Sequence, residues 1–245
     1  MNTDELYEQF RNSYDDSEKC DLAIEIARNC SWGSVGGYNE AEWYGQAFRY
    51  ARYADDQFEL AKKIAELCDD NRSTVDGNDA GEWYEKAYDL TYDSDEQCEL
   101  AEKIADICGD YNYVNGYEAT EWLARAYNAT RDSDKKCQLA QDIANSLDSY
   151  SRANGYNAGE WLGLAFNAAY DNDTRCELAI EIANYCKDND TRINCDDCGD
   201  WLGKAYDFCC NWSDQKELAE IIARHCEENN TLVKGCNAEW WKEQA

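Results

Sequence analysis

The chain has 245 residues, 52 acidic and 23 basic, with a formal net charge of −29 at pH 7. Acidity of that size disfavours nucleic acid and anionic membrane as ligands and favours cations and basic proteins. The 44% hydrophobic and 13% aromatic residues recur periodically, which argues for a packed core and against a disordered polyelectrolyte.

No apolar stretch approaches the roughly 18 residues of a membrane span. The opening Met1-Asn2-Thr3-Asp4-Glu5 lacks the basic-then-apolar pattern of a secretory leader, so the expected compartment is a reducing cytoplasm. The first predicted element is a helix bearing Phe10 and Tyr14, followed by one bearing Cys20. These align with Tyr88, Tyr92 and Cys98, so the chain opens on the second helix of a two-helix unit. From there a period takes over. Trp43, Trp83, Trp122, Trp161, Trp201 and Trp240 recur at steps of 40, 39, 39, 40 and 39 residues. Each stands in a version of one phrase, from Glu42-Trp43-Tyr44 to Glu239-Trp240-Trp241. Such a period marks stacked repeats, which build long surfaces rather than buried catalytic pockets.

Within the unit Asp95 to Ala129, Cys98, Ala101, Ile104, Ala105 and Cys108 trace one buried helical face, with Glu99, Glu102, Lys103 and Asp106 opposite. Asp95 and its equivalents Ser17, Asp55, Asp134, Asp173 and Ser213 are expected to cap these first-type helices. The second-type helix carries the tryptophan, with Trp83, Tyr84, Ala87, Tyr88 and Thr91 as its stripe. Asn39, Asp79, Asn157 and Asp197, each followed three residues on by Glu42, Glu82, Glu160 and Asp200, resemble capping boxes. Between the helices a longer loop is expected, as at Asp69 to Gly77. Asp76-Gly77, Asn115-Gly116 and Asn154-Gly155 supply its positive φ.

The expected fold is all-α: a right-handed α-solenoid of about six tandem helix-hairpin repeats of 39–40 residues, a single domain over residues 1–245. It holds six first-type helices and six complete second-type helices, with a stub from Trp240 to Ala245. Six stacked pairs at ordinary helix spacing would extend roughly 50–60 Å. The phrases Glu82-Trp83-Tyr84-Glu85-Lys86-Ala87-Tyr88 and Trp201-Leu202-Gly203-Lys204-Ala205-Tyr206 resemble the Trp-Tyr-X-Lys-Ala helix of the tetratricopeptide and Sel1-like superfamily. That resemblance implies a protein-binding scaffold without catalysis and carries over no ligand residues. The unit is longer than the 34 residues of a tetratricopeptide and lacks its proline.

Nine of the 14 cysteines fall in two helix columns that elsewhere hold Phe58, Lys216 or Leu147, so they read as small core hydrophobes. Cys195-Asp196-Asp197-Cys198 has a metal-ligand spacing, but no second such pair accompanies it, and Cys198 aligns with Ala80, Ala119 and Ala158. The turn pairs Asp93/Asp95, Asp132/Asp134 and Asp171/Asp173 lack the glycine and closing glutamate of a calcium loop. No cofactor and no metal is expected. His225 is the one histidine, in a column with Leu67, Ile107 and Tyr185, and no nucleophile has a histidine nearby in sequence. An enzyme is not expected, and no catalytic residue is assigned.

Charge is the remaining signal. Asp21, Glu59, Glu99, Glu177 and Glu217 form one acidic column on the first-type helices, and Glu42, Glu82, Glu121, Glu160 and Asp200 form another on the second-type helices. Spread over the expected length, the net charge is about one per 2 Å, close to the roughly 1.7 Å of duplex DNA. The expected function is therefore a monomeric, non-catalytic nucleic-acid mimic that blocks a basic, nucleic-acid-binding protein. One setting is a phage or mobile-element anti-defence inhibitor of the anti-CRISPR or anti-restriction kind. The alternative is a tetratricopeptide- or Sel1-like scaffold that binds peptides or assembles a complex.

Overall fold

The computed structural model describes residues 2–30, 33–109, 113–148 and 150–245. Among them are 13 helices and no strand longer than an isolated bridge. The chain divides into two compact units, Met1–Ala129 and Thr130–Ala245. The first holds α1 (Thr3–Asn12), α2 (Asp16–Asn29), α3 (Glu40–Tyr50), α4 (Ala54–Asn71), α5 (Ala80–Leu90), α6 (Ser94–Cys108) and α7 (Ala119–Ala129). The second holds α8 (Ser133–Ser146), α9 (Ala158–Ala168), α10 (Asn172–Asp188), α11 (Cys198–Phe208), α12 (Trp212–Asn229) and α13 (Ala238–Gln244). Within each unit the backbone packing joins helices that are neighbours in sequence, so each unit is an all-α stack of helical hairpins. The six first-type helices, six second-type helices and a terminal stub are all present.

The local reasons recur from repeat to repeat. Each long loop closes through a two-residue turn of type I′ character, whose two central residues need positive φ. In the first unit these are Gly36-Gly37, Asp76-Gly77 and Asn115-Gly116. In the second they are Asn154-Gly155, Asn194-Cys195 and Lys234-Gly235. A backbone bridge closes each turn, as between Val75 and Asn78 or Ile193 and Asp196. The tryptophan then locks turn to helix. Its indole N–H donates to the carbonyl eight residues earlier: Trp43 to Val35 at 3.0 Å and Trp83 to Val75 at 3.1 Å in the first unit. In the second unit Trp161 donates to Ala153 at 3.1 Å, Trp201 to Ile193 at 3.2 Å and Trp241 to Val233 at 3.3 Å. Trp122 departs from the pattern. Its buried Nε1 has no partner among the described residues, and the Arg125 guanidinium lies 4.2 Å from its ring centre.

Stacking follows from the same ring. An aromatic residue of the preceding second-type helix meets it edge-on: Phe10 at 5.0 Å from Trp43, Phe48 at 5.1 Å from Trp83, and Tyr88 at 5.6 Å from Trp122. Phe166 and Trp201, at 5.0 Å, and Tyr206 and Trp241, at 4.9 Å, repeat the contact in the second unit. The turn's apolar residue wedges against a small residue of the previous second-type helix. A Cβ on Gly45 would stand 2.7 Å from Val75, and one on Gly81 would stand 2.5 Å from Val114. First-type helices contribute a Leu-Ala-x-x-Ile-Ala-x-x-Cys face. Leu60, Ala61, Ile64, Ala65 and Cys68 of α4 and their equivalents in α2, α6, α10 and α12 are buried.

Three expectations need correction. The sixth member of the tryptophan column is Trp241, at 1% exposure, and not Trp240, at 42%. With two adjacent tryptophans the spacing alone is ambiguous by one residue, and the hydrogen bond to Val233 decides it. The first-type helices also begin earlier than expected. Their caps are Asp15, Asp93, Asp132, Asp171 and Asn211, while Tyr53 offers no side-chain cap. Ser17, Asp55, Asp95, Asp134, Asp173 and Ser213 are second residues of the helices, and Asp93, for example, accepts from the Asp95 amide. Finally, α4 runs on to Asn71, so its loop starts later than Asp69. The boxes at Asn39/Glu42, Asp79/Glu82, Asn157/Glu160 and Asp197/Asp200 are as expected, and Asn2/Glu5 adds another.

Trp83→Ala is expected to cost about 3–5 kcal/mol in denaturant unfolding, and Trp240→Ala about 1 kcal/mol or less. Equal costs would overturn the assignment of the column to the buried rings.

Candidate partner-binding surface

The first acidic column is built by the helical wheel. Glu99 stands between buried Cys98 and Leu100, and Ala101, Ile104, Ala105 and Cys108 complete the buried arc. At 100° per residue the mean direction of that arc points away from Glu99, so the fold forces this position outward. Asp21, Glu59, Glu177 and Glu217 share the position, and all five are exposed. Exposure is dictated; the carboxylate is not, since Gln138 fills the same place on α8. None of the five has an ion-pair partner among the described residues.

The second column has a different fate. Glu42, Glu82, Glu160 and Asp200 accept from the backbone N–H of their own N-cap residues at 2.8, 2.9, 2.8 and 3.1 Å. Glu121 accepts from Glu118 at 3.3 Å, although Glu118 replaces the usual Asn or Asp cap. These carboxylates therefore hold helix starts, where negative charge also suits the helix dipole. The structure does not join the two columns. Cys30 at the end of α2, Asn39 to Ala41 at the start of α3 and Asn71 at the end of α4 line one cleft, so second-type helices begin where first-type helices finish. The columns lie at opposite ends of the hairpins.

Between α2 and α4 runs a second cleft of about 330 Å³, lined by Cys20, Asp21, Ile24, Tyr44, Glu59 and Leu60, among others. Asp21 and Glu59 are thus rim residues of one feature. Arg28 and Lys63 line the same cleft, so both signs of charge meet there, while other basic residues pair away from it. Arg49 pairs with Asp76 and Arg52 with Asp16 across repeats in the first unit, and Lys234 pairs with Asp207 in the second. Lys86 and Lys204 lie over the rings of Trp83 and Trp201, at 4.2 and 3.8 Å. Burial lowers the Lys86 pKa, opposed by Glu82, Asp76 and Glu85.

The nine column cysteines are buried, as is Cys209. Burial pushes the Cys176 thiol up to about 12, with neighbouring Cys209 adding to it. Cys195 is exposed on its turn at φ +72°, where sister repeats use glycine. Folding also creates one pair that the sequence hides: Cys198 Sγ lies 3.8 Å from His225 Nδ1. The pair was not visible in sequence, because 27 residues of chain separate the two. Burial pushes the Cys198 thiol up to about 11, whereas a nucleophile needs a lowered value. No group of three potential metal ligands occurs among the described residues, and no described helix is long and apolar enough to cross a membrane.

No family model matches this chain, and no curated protein matches it. Among solved structures, a "DHF58 filament" is 18% identical, covering 99% of this chain and 88% of that one with a TM-score of 0.13. A likeness that slight carries no argument about function.

Two outcomes are expected in solution. Asp15 is held below the usual carboxylate value by the amides of Glu18 and Ser17, and Asp171 by the amide of Thr174 and its hydroxyl. A depressed carboxylate stabilises the fold above its unfolded pKa and loses that contribution as pH falls through its folded value. Self-repulsion works in the other direction, easing as acids protonate. The thermal midpoint should therefore peak near about pH 5 and fall below about pH 4; a steady rise from pH 3 to pH 8 would contradict this. Iodoacetamide should modify Cys195 and Cys210 in the native protein and spare the column cysteines until unfolding. Rapid modification of Cys68 or Cys108 would refute their core placement.

Proposed function

We propose that this chain is a non-catalytic, strongly acidic protein-binding solenoid that offers its carboxylates to a basic, nucleic-acid-binding protein in place of a duplex. The observation that carries this reading is the first acidic column: Asp21, Glu59 and Glu99 in one unit, and Glu177 and Glu217 in the other. Among the described residues these side chains cap nothing and have no ion-pair partner, and within each unit they recur on equivalent helices, with Gln138 in their place on α8. The second column contributes field while serving the helix starts. Its member residues Glu42, Glu82, Glu121, Glu160 and Asp200 are background charge in this reading, and the exposed column is the contact. A monomeric inhibitor of a defence nuclease, borne by a phage or mobile element, is the setting in which such mimicry has use. One observation favours the peptide-scaffold alternative: the cleft between α2 and α4 has an apolar floor at Ile24, Tyr44 and Leu60.

The test is capture of a partner from native extract by the wild-type protein and by the variant D21N/E59Q/E99Q. Collective long-range attraction predicts that the triple change weakens capture by about tenfold or more, while Glu99→Gln alone changes it by less than about twofold. Raising salt from 0.1 M should act likewise, because the Debye length shrinks from roughly 10 Å to roughly 3 Å at 1 M. The triple variant should be no less stable than wild type. Capture unaffected by both treatments would remove the mimicry and favour a groove-bound peptide.

A further inference from the structure

In the first unit, the short turns that lead into α2, α4 and α6 carry Tyr14, Tyr53 and Tyr92. Their exposures are 100%, 73% and 95%. None of the three side chains makes a hydrogen bond, ring contact or cation contact among the described residues. A tyrosine placed in a core or interface buries about 150–250 Å², so three rings left almost bare serve no packing purpose. Several other tyrosines of the same unit are engaged: Tyr44 and Tyr84 are buried, Tyr88 packs on Trp122, and the half-exposed Tyr38 meets Trp43 edge-on. The bare rings recur at one place in the hairpin.

Two observations bring these rings together with acid. Arg52, beside Tyr53, reaches back to Asp16 of the preceding turn at 3.3 Å, which sets the first two turns side by side. Every ring also has carboxylates beside it in the chain. Asp15 and Asp93 cap α2 and α6 through their first-turn amides, and Asp55 and Asp56 stand exposed at the start of α4. We infer that this edge is a docking strip for an arginine-bearing segment of a basic protein partner, with guanidinium planes stacking on Tyr14, Tyr53 and Tyr92 and paired by the neighbouring aspartates. The inference rests on the proposed function and locates its contact. Guanidinium is planar, stacks on aromatic faces and offers a fork of donors to carboxylates. An ammonium group is a compact, strongly hydrated point charge and gains less from such an edge. Single-stranded nucleic acid also stacks on aromatics, but it requires a positive groove, and these turns are acidic.

The probes are nona-arginine and nona-lysine peptides of equal charge, titrated against the intact chain at 0.15 M salt. Wild type should bind the arginine peptide about tenfold more tightly than the lysine peptide. Y14S/Y53S/Y92S should lose that preference while keeping its affinity for the lysine peptide, and its thermal midpoint should not move. Y14F/Y53F/Y92F should retain the preference, because the ring and not the hydroxyl supplies the stacking. Equal binding of both peptides by wild type, or a preference that survives the serine changes, would overturn the docking strip. If D21N/E59Q/E99Q then weakens both peptides together, the acidic reading stands without this edge. If neither peptide binds wild type, both fall.

Discussion

The stack is organised around one buried ring, the repeated tryptophan, whose indole N–H in five of the six repeats donates to the carbonyl of the turn eight residues earlier. That bond lets a large ring be buried without stranding a polar group. It also fixes the turn over the start of its own second-type helix. Once the turn is fixed, its apolar residue, Val75 for instance, can wedge against a glycine of the previous repeat such as Gly45. The ring's other side receives the aromatic residue of that previous helix, as Phe48 meets Trp83. Local closure and inter-repeat packing thus share one side chain. Trp122, with its N–H unpaired and Arg125 stacked on its face, marks the repeat in which this arrangement is least satisfied.

A fold secured by apolar wedges and rings has little need of surface charge, and the placement of charge is accordingly uneven. Some bases pair across repeats, as Arg49 does with Asp76, and others stay within their own, as Arg192 does with Asp197 and Lys204 on Trp201. The acids divide. Those at the starts of the second-type helices hold N-cap amides, so their recurrence has a structural cause. Those on the second turn of the first-type helices have no such cause. That asymmetry, more than the net charge of −29 by itself, is what the proposed contact rests on.

Much of this was legible from residues alone. The period, the two helix types, the boxes at Asn39 and Asp79 and the core cysteines follow from spacing and from which residues exchange within a column. Illegible features share a cause: they depend on contacts that spacing does not encode. Trp240 and Trp241 are equivalent to a counting rule, and only the bond to Val233 separates them. Ser17 and Asp95 look like caps as much as Asp15 and Asp93 do, because acceptors lie at both positions and the helix start decides. Cys198 and His225 meet across 27 residues. The candidate surface was only half legible. Both acidic columns are visible in sequence, but their placement at opposite ends of the hairpins is not. The bare tyrosines do carry a sequence signal, since Tyr14, Tyr53 and Tyr92 recur at a step of 39 beside aspartates.

The central claim is that this surface occupies the nucleic-acid site of its partner. The most direct measurement is competition: a partner captured on the immobilised chain at low salt is challenged with duplex DNA or RNA at constant ionic strength. The account predicts that nucleic acid releases the partner in a dose-dependent way and that the chain in turn displaces a labelled duplex from it. A ternary complex, in which the partner holds both the chain and a duplex without loss of affinity for either, would contradict it.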